Sequence, residues 1–374
     1  MRKQSQFKRR KRYMPYSKEL SILTKTQLLR ERKIYPQSLF DYASNDYLGL
    51  GSLSFLLDNA ITYLKEFPTH SPASSMAING YHQIHKNFEN LLISYFAFES
   101  CTLFGSGFLA NLALFDTLVR KNDVIFIDEL YHASGQYPAK ILGKQAIFFK
   151  HNDPLDLIDK IRKTSTKGRI LIAIEGVYSM DGDIAKIDFA HIAQQKNALL
   201  IVDEAHSSGT IGKNLKGYFD YHNLPILPNY IKMGTLSKAY GSYGAYVLGQ
   251  KNIINFLFSK AKSSIYTTAP SLLDIALAHQ NLLYVQQHTK KLAAKLKTLR
   301  KIFTPTPESQ ILILPFEKQE SMLKASNHLL KNNFLIGSIR KPTSNTPRLR
   351  ISLNLKNSKT QTQKLCKILQ NILG

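Results

Sequence analysis

The sequence predicts an α/β protein, with a large domain on a mainly parallel sheet and a smaller α+β domain at the C-terminus. Three observations lead there. Short apolar runs rich in branched residues recur through the middle of the chain, longer stretches with helical spacing separate them, and the texture changes beyond about residue 285. Strands covered on both faces read as unbroken apolar runs, and strands that alternate with helices pair in parallel because each crossover carries a helix back over the sheet.

The runs DVIFID (123–128), QAIFFK (145–150), RILIAIE (169–175), ALLIVDE (198–204), NYIKMG (229–234) and AYVLG (245–249) are the predicted strands. Segments such as GFLANLALFDTLVRK (107–121) carry helical spacing between them. The later part reads as helix TKKLAAKLKTLRKIF, strand QILILPF, helix ESMLKASNHLLKN, strand RLRISLN and a closing helix KTQTQKLCKILQNIL. The expected division is a basic arm and helix over 1–43, a large domain over 44–285 and a small α+β domain over 286–374.

Composition narrows the function classes. A chain of 374 residues, 44% of them hydrophobic, can bury a substantial core. The N-terminal MRKQSQFKRRKRY is basic but no apolar region of a secretory signal follows it, and no stretch is long enough to cross a bilayer, so a cytoplasmic protein is expected. Cys101 and Cys366 are too few for a disulfide framework or a four-ligand zinc site and are expected to be buried thiols. The net charge is +24, and 21 of it sits in residues 1–12 and 286–374. Such an uneven distribution suits coenzyme A phosphates, an acidic carrier protein or nucleic acid, or else a solvated lysine-rich surface.

Ligands of open parallel sheets gather at the carboxyl ends of the strands. There the sequence places His132 in DELYHASG, Glu175 and Ser179 in EGVYSMDGD, Asp203 and His206 in DEAHSSG, and Thr235, Ser237 and Lys238 in GTLSKAYGS. Singly, such an Asp reads as a helix cap and such a His as a structural residue; together they converge on one edge. Lys238 is the most telling, because a surface lysine is commoner on a helix, where its stem lies along apolar surface. No HExxH, CxxC or GxSxG pattern is present, which sets aside metal and serine hydrolases. GSGFLA (105–110) lacks the third glycine of a dinucleotide fingerprint, yet a glycine turn opening a helix offers free N–H groups to a phosphate.

A phosphate cradle, an acid and a lysine able to form an imine together describe a pyridoxal phosphate site. Asp203 would keep the pyridine nitrogen protonated, His206 would reach the ring oxygen, and His132 would stack on the ring.

The motifs SNDYLGL (44–50), GSGFLAN (105–111), DELYHAS (128–134), EGVYSMDGD (175–183), DEAHSSGTIG (203–212), GTLSKAYGSYGA (234–245) and RLRISL (348–353), in this order, resemble those of the α-oxoamine synthases. The resemblance runs from about residue 28 to the C-terminus. It implies a fold-type I pyridoxal phosphate enzyme that condenses an amino acid with an acyl thioester. Carried over by position, it implies Lys238 as the Schiff-base lysine and Asp203 on the pyridine nitrogen. His132 would stack on the ring, with Ser179 and His206 near the ring oxygen and Gly107, Phe108 and Thr235 on the phosphate side. Asn45 and Arg348 would hold the substrate carboxylate, and Arg30 and Thr346 the acyl chain. The family's dimers build their sites across the interface, which would bring Thr268 to the neighbour's phosphate.

One stretch departs from the family pattern: a glycine-rich loop is replaced by SPASSMAING (71–80), with Met76 where an arginine is expected. Among the family's substrate pairs, L-alanine with a pimeloyl thioester, as in biotin synthesis, is favoured over glycine with acetyl-CoA or succinyl-CoA and over serine with a long acyl chain. The donor is coenzyme A or an acyl carrier protein. A fold-type I aminotransferase or lyase, and a nucleic-acid-binding module resting on the basic flanks, are the readings from other classes.

Overall fold

The six apolar runs are six of the seven strands of a central sheet in the computed structural model, which describes residues 15–26, 28–341 and 343–373. The basic arm at 1–12 lies outside the described residues. In chain order the strands are β1 (Phe40–Tyr42), β2 (Ser100–Phe104), β3 (Val124–Asp128), β4 (Ala146–Phe149), β5 (Ile170–Glu175), β6 (Leu199–Asp203), β7 (Tyr230–Thr235), β8 (Ala245–Gly249), β9 (Ile311–Pro315), β10 (Phe334–Ile339) and β11 (Arg348–Ser352). The large sheet runs β2-β8-β7-β6-β5-β3-β4, and β4, β3, β5, β6 and β7 pair in parallel. β8 is antiparallel to both β7 and β2.

Successive side chains of a strand point to opposite faces, so a strand covered on both sides must be apolar at every position. β5 shows it: Ile172 and Ile174 join Phe126, Leu200 and Val202 in the core on one face, while Leu171 and Ala173 join Ile125, Ile127 and Ile201 on the other. Local chemistry starts the covering helices. The Ser106 hydroxyl accepts the N–H of Leu109 to open helix Gly107–Leu118, and Asp153 accepts the N–H groups of Leu155 and Asp156 ahead of a proline-led helix, Pro154–Lys163.

The second sheet runs β1-β10-β11-β9 and packs under helices Gln319–Lys331 and Lys359–Leu373 around Leu349, Ile351 and Leu365. Its edge strand β1 comes from the N-terminal segment and pairs in parallel with β10, Phe40 opposite Phe334. Helix Leu272–Arg300 runs unbroken across position 285, where the sequence reading divides the chain, because it contains no glycine or proline to interrupt it. Among the described residues no helix is long and apolar enough to cross a membrane.

Leu171 has no exposed surface and stands in the middle of β5, so Leu171→Ala is expected to lower the unfolding free energy by about 2–5 kcal/mol. Urea unfolding followed by circular dichroism reads this as a lower midpoint at an unchanged slope.

Candidate active site

The parallel register brings two carboxylates side by side, since Glu175 at the end of β5 is the Cα partner of Asp203 at the end of β6. They stand in a cleft of 210 Å³ lined also by Gly107, Phe108, His132, His206, Thr235 and Lys238. Eight of the residues expected in the site from the sequence, these six with Asp203 and Ser179, therefore lie at or beside one strand-end edge.

Each carboxylate is held by N–H donors. Glu175 accepts from the backbone of His132 at 2.5 Å and of Ser179 at 2.9 Å; burial and then the nearby Asp203 push its pKa well up. Asp203 accepts from Asn111 Nδ2 at 2.8 Å and from the Ala205 backbone at 2.9 Å. Asn111 was not foreseen, although it stands one turn into the helix that GSGFLAN opens.

The two imidazoles are neutral. Burial, reinforced for His132 by Lys238, lowers its pKa against the pull of Asp203, and burial followed by Lys238, Arg350 and His132 takes His206 well down. The Ser134 N–H lies 3.2 Å from His132 Nδ1 and can only donate, so His132 carries its proton on Nε2. Burial also brings the Lys238 amine down to about 8, with Arg350 adding to the effect and Asp203 and Glu175 opposing it. Lys238 Nζ lies 2.7 Å from His206 Nε2.

An anion cradle faces this set. Ser106 takes up the N–H groups of Leu109 and Ala110, which leaves those of Gly107 and Phe108, both lining the cleft, without a partner among the described residues. A Cβ built on Gly107 would reach into the gap toward Thr235, 3.9 Å from its Cβ, so glycine keeps that gap open. Two free N–H groups at a helix start, an acid and a depressed amine fit pyridoxal phosphate, and among the described residues no group of His, Cys, Asp and Glu could hold a metal ion.

The arginines are arranged differently from expectation. Arg348 is engaged at the rim, where its Nη1 donates to Asp181 Oδ1 at 2.7 Å and to Met180 O at 2.8 Å. Arg350, which the sequence reading passed over, is the deeper of the two and only 5% exposed. It donates from Nε to Ser179 O at 2.7 Å, from Nη1 to Asn45 Oδ1 at 2.9 Å and to Ser352 Oγ at 2.8 Å, and from Nη2 to Tyr47 Oη at 3.3 Å. Among the described residues no carboxylate lies within ion-pair distance of it. Both arginines share one face of β11 by the two-residue period, and only depth separates them.

The remaining expected residues lie outside the cleft. Arg30 and Thr346 are exposed, and Arg30 Nη2 meets Thr343 Oγ1 at 3.2 Å on the loop that carries Thr346. Thr268 is also exposed; its neighbour Ala269 donates to Ser74 O at 2.9 Å, tying that segment to the loop at 71–80, into which Met76 is folded and buried.

His151, a further residue the sequence reading passed over, fastens two site loops. Its Nδ1 lies 3.0 Å from Asp128, whose other contacts set the turn to His132, and its Nε2 lies 3.2 Å from Asp183 in the loop that carries Ser179 and Asp181. The buried lysine of NYIKMG, Lys232, pairs below the site with Glu204 at 2.9 Å.

The family model for aminotransferase class I and II matches residues 38–369. The chain is 46% identical to the 8-amino-7-oxononanoate synthase of Helicobacter pylori, over 95% of this chain and 96% of that protein. The solved structure of 8-amino-7-oxononanoate synthase from Francisella tularensis superposes with a TM-score of 0.76 at 26% identity, covering 90% of this chain and 98% of that one. A serine palmitoyltransferase from S. paucimobilis, solved with bound PLP, superposes at 0.85 with 21% identity over 96% and 97% of the two chains, and shares the fold.

Burial alone would lower the pKa of His151, but the hydrogen bonds and charges of Asp128 and Asp183 carry it up to about 10. A raised folded-state pKa gives stability that is complete below the unfolded value and lost as pH rises through the folded one. The gap in unfolding free energy between the parent and His151→Gln is therefore expected to be widest near about pH 6 and to close toward about pH 10, read from urea titrations across that range.

Proposed function

The chain belongs to the aminotransferase class I and II family and to its α-oxoamine synthase branch, and on that premise we propose that it condenses L-alanine with a pimeloyl thioester. The products are 8-amino-7-oxononanoate, CO2 and the free thiol, a step toward biotin, and the thioester is that of coenzyme A or an acyl carrier protein. Its cofactor is pyridoxal phosphate. Bound in this cleft, the cofactor supplies an imine-forming carbonyl and a ring that takes up the electron pair left when the substrate Cα loses its proton. The observation that carries the reading is an amine brought to about 8 in the cleft, linked through His206 and Tyr47 to a buried guanidinium that, among the described residues, pairs with no carboxylate.

The residues divide the work. Lys238, with a pKa of about 8, is a free amine for an appreciable fraction of the time at neutral pH and can take the Cα proton. Asp203 would hold the pyridine nitrogen, the Gly107 and Phe108 N–H groups with Thr235 would hold the phosphate, and His132 would lie on the ring with Nε2–H available to the thioester oxygen. Ser179 and His206 would stand on the side of the ring oxygen. Arg350, rather than Arg348, would hold the substrate carboxylate. Its Nη2 keeps one N–H beyond that given to Tyr47, and Asn45, whose Oδ1 faces Arg350, turns its amide donor away as a second. Arg348, Arg30 and Thr346 lie farther out, where the acyl chain would pass.

A homodimer belongs to the same proposal. The Phe108 and Tyr137 rings meet 6.1 Å apart at the edge of the cleft, and Tyr137, Ile141 and Tyr266 are 56%, 67% and 82% exposed, apolar surface that a second copy would cover and that would bring Thr268 to its site. A cytoplasmic location goes with these substrates.

Purified protein given pyridoxal phosphate, each of L-alanine, glycine and L-serine, and pimeloyl-CoA should release thiol and CO2 with alanine; release with glycine or serine alone would overturn the substrate assignment. Formation of a keto acid without CO2 would point to an aminotransferase instead. Lys238→Ala is expected to lack the visible band of the parent and to be inactive. Arg350→Lys should lower kcat/KM for alanine by about 10- to 100-fold, and Arg348→Lys by less.

A further inference from the structure

We propose that Tyr47 is a positioning residue that holds His206 in the tautomer that donates to Lys238, so that the fold presents Lys238 as a free amine. Tyr47 belongs to the N-terminal segment and has no exposed surface. Its hydroxyl lies 2.7 Å from His206 Nδ1, and His206 Nε2 lies 2.7 Å from Lys238 Nζ, which makes a continuous file from Arg350 through Tyr47 and His206 to the lysine.

The direction of that file follows from what each group can give. A guanidinium has no acceptor, so Arg350 Nη2 donates to Tyr47 Oη at 3.3 Å. Tyr47 then has one proton to place, with two acceptors in reach: His206 Nδ1 at 2.7 Å and Asn45 Oδ1 at 3.2 Å. Asn45 Oδ1 already receives Arg350 Nη1 at 2.9 Å and Ser352 Oγ at 3.3 Å. The shorter and less crowded acceptor takes the proton, and burial, by raising the phenol's pKa, keeps that proton on Tyr47. A neutral imidazole that accepts at Nδ1 must carry its hydrogen on Nε2, and a donor aimed at Nζ requires the lone pair of a free amine.

The reverse arrangement is self-consistent as well, and this makes the file a switch. An ammonium at Lys238 would donate to His206 Nε2, which moves the imidazole proton to Nδ1 and turns Tyr47 toward its longer contact with Asn45. Protonation of the lysine and the orientation of Tyr47 therefore change together. The charged and titratable groups facing this file are Asp203 from β6, Glu175 from β5, Arg350 from β11 and His132 from the turn after β3. The two acids favour the ammonium and Arg350 the amine, so the two arrangements are close enough in energy for one hydroxyl to bias them. Arg350 and Asn45 are also the pair assigned above to the substrate carboxylate, so a substrate held there acts on the same hydroxyl that sets the lysine.

This assignment rests on Lys238 being the reactive amine, and the experiment separates the two. The rate at which full-length, cofactor-free protein forms its visible band with pyridoxal phosphate is measured against pH for the parent and for Tyr47→Phe. The midpoint of the variant is expected to move up by about half to one pH unit, the size of one lost hydrogen bond. A midpoint equal to that of the parent overturns the role of Tyr47; a parent that never forms the band overturns the reading of Lys238 and this inference with it. Nitrogen NMR of the histidines in the parent, with His206 assigned by its loss in His206→Asn, needs no folded Tyr47 variant: at about pH 9, above the lysine's pKa of about 8, a bare Nδ1 and a protonated Nε2 are expected, and the opposite tautomer there overturns the proposal.

Discussion

Two carboxylates set side by side by strand register are the constraint to which the rest of the site responds. Glu175 and Asp203 are partners across β5 and β6, buried at the carboxyl edge of a sheet whose interior is hydrocarbon. Negative charge there is costly unless it is hydrogen-bonded and balanced. The balance is built from single donors: the backbone N–H groups of His132 and Ser179 on Glu175, Asn111 and the Ala205 N–H on Asp203. Two basic groups, Lys238 and Arg350, stand near the acids without pairing to either. The groups most useful for chemistry are thus left without an acid partner by a site whose acids are held by backbone N–H groups and the one side-chain amide of Asn111.

The second sheet explains how one of those basic groups arrives. β11 carries Arg350 to Ser179 O on the loop after β5, while Ser309, just before β9, donates to Gly182 O of the same loop. The N-terminal segment leaves β1 at Tyr42 and passes through Asn45 and Tyr47, whose carbonyl accepts the N–H of Leu355. The acids therefore come from the large sheet, the guanidinium from the small one, and the groups that orient it from a segment some 300 positions away in sequence. Bringing them together pays the entropy of long loop closure once, in the folding of both sheets, instead of in each contact.

The legible part of this architecture was the part fixed by local pattern. A strand buried on both faces cannot hide its apolar run, so β3 to β8 could be read directly, and the residues just after them followed from where parallel strands end. β1 could not be read: FDY is three residues long and is a strand only because Phe334 and its neighbours lie alongside. β2, SCTLF, begins with small polar residues and lacks the continuous apolar signal. Lys232 sits inside a run that reads as hydrophobic, and its burial depends on Glu204 and on the face of Phe96, 4.4 Å beneath its ammonium, neither of which is near it in sequence. Arg348 and Arg350 show the limit most plainly. A period of two places both on one face, and the choice between them is a matter of depth, which belongs to the packing of two sheets and to no pattern within RLRIS.

The state of Lys238 then depends on small differences between large opposing effects. Desolvation drives the amine toward neutrality, the two acids drive it toward the ammonium, and Arg350 drives it back again, with about 8 as the outcome. A group balanced in this way responds to any neighbour that changes its hydrogen bonding, whereas a lysine held by one strong ion pair, as Lys232 is, does not. The same chain holds both kinds on consecutive parts of one motif: Lys232 faces the closed core and is locked by Glu204, and Lys238 faces the cleft, where its hydrogen-bond partner among the described residues is a neutral imidazole. What distinguishes a structural lysine from a reactive one here is, beyond the full burial of Lys232 and the partial burial of Lys238, whether the nearest partner is a fixed charge or a group that can reverse its hydrogen bond.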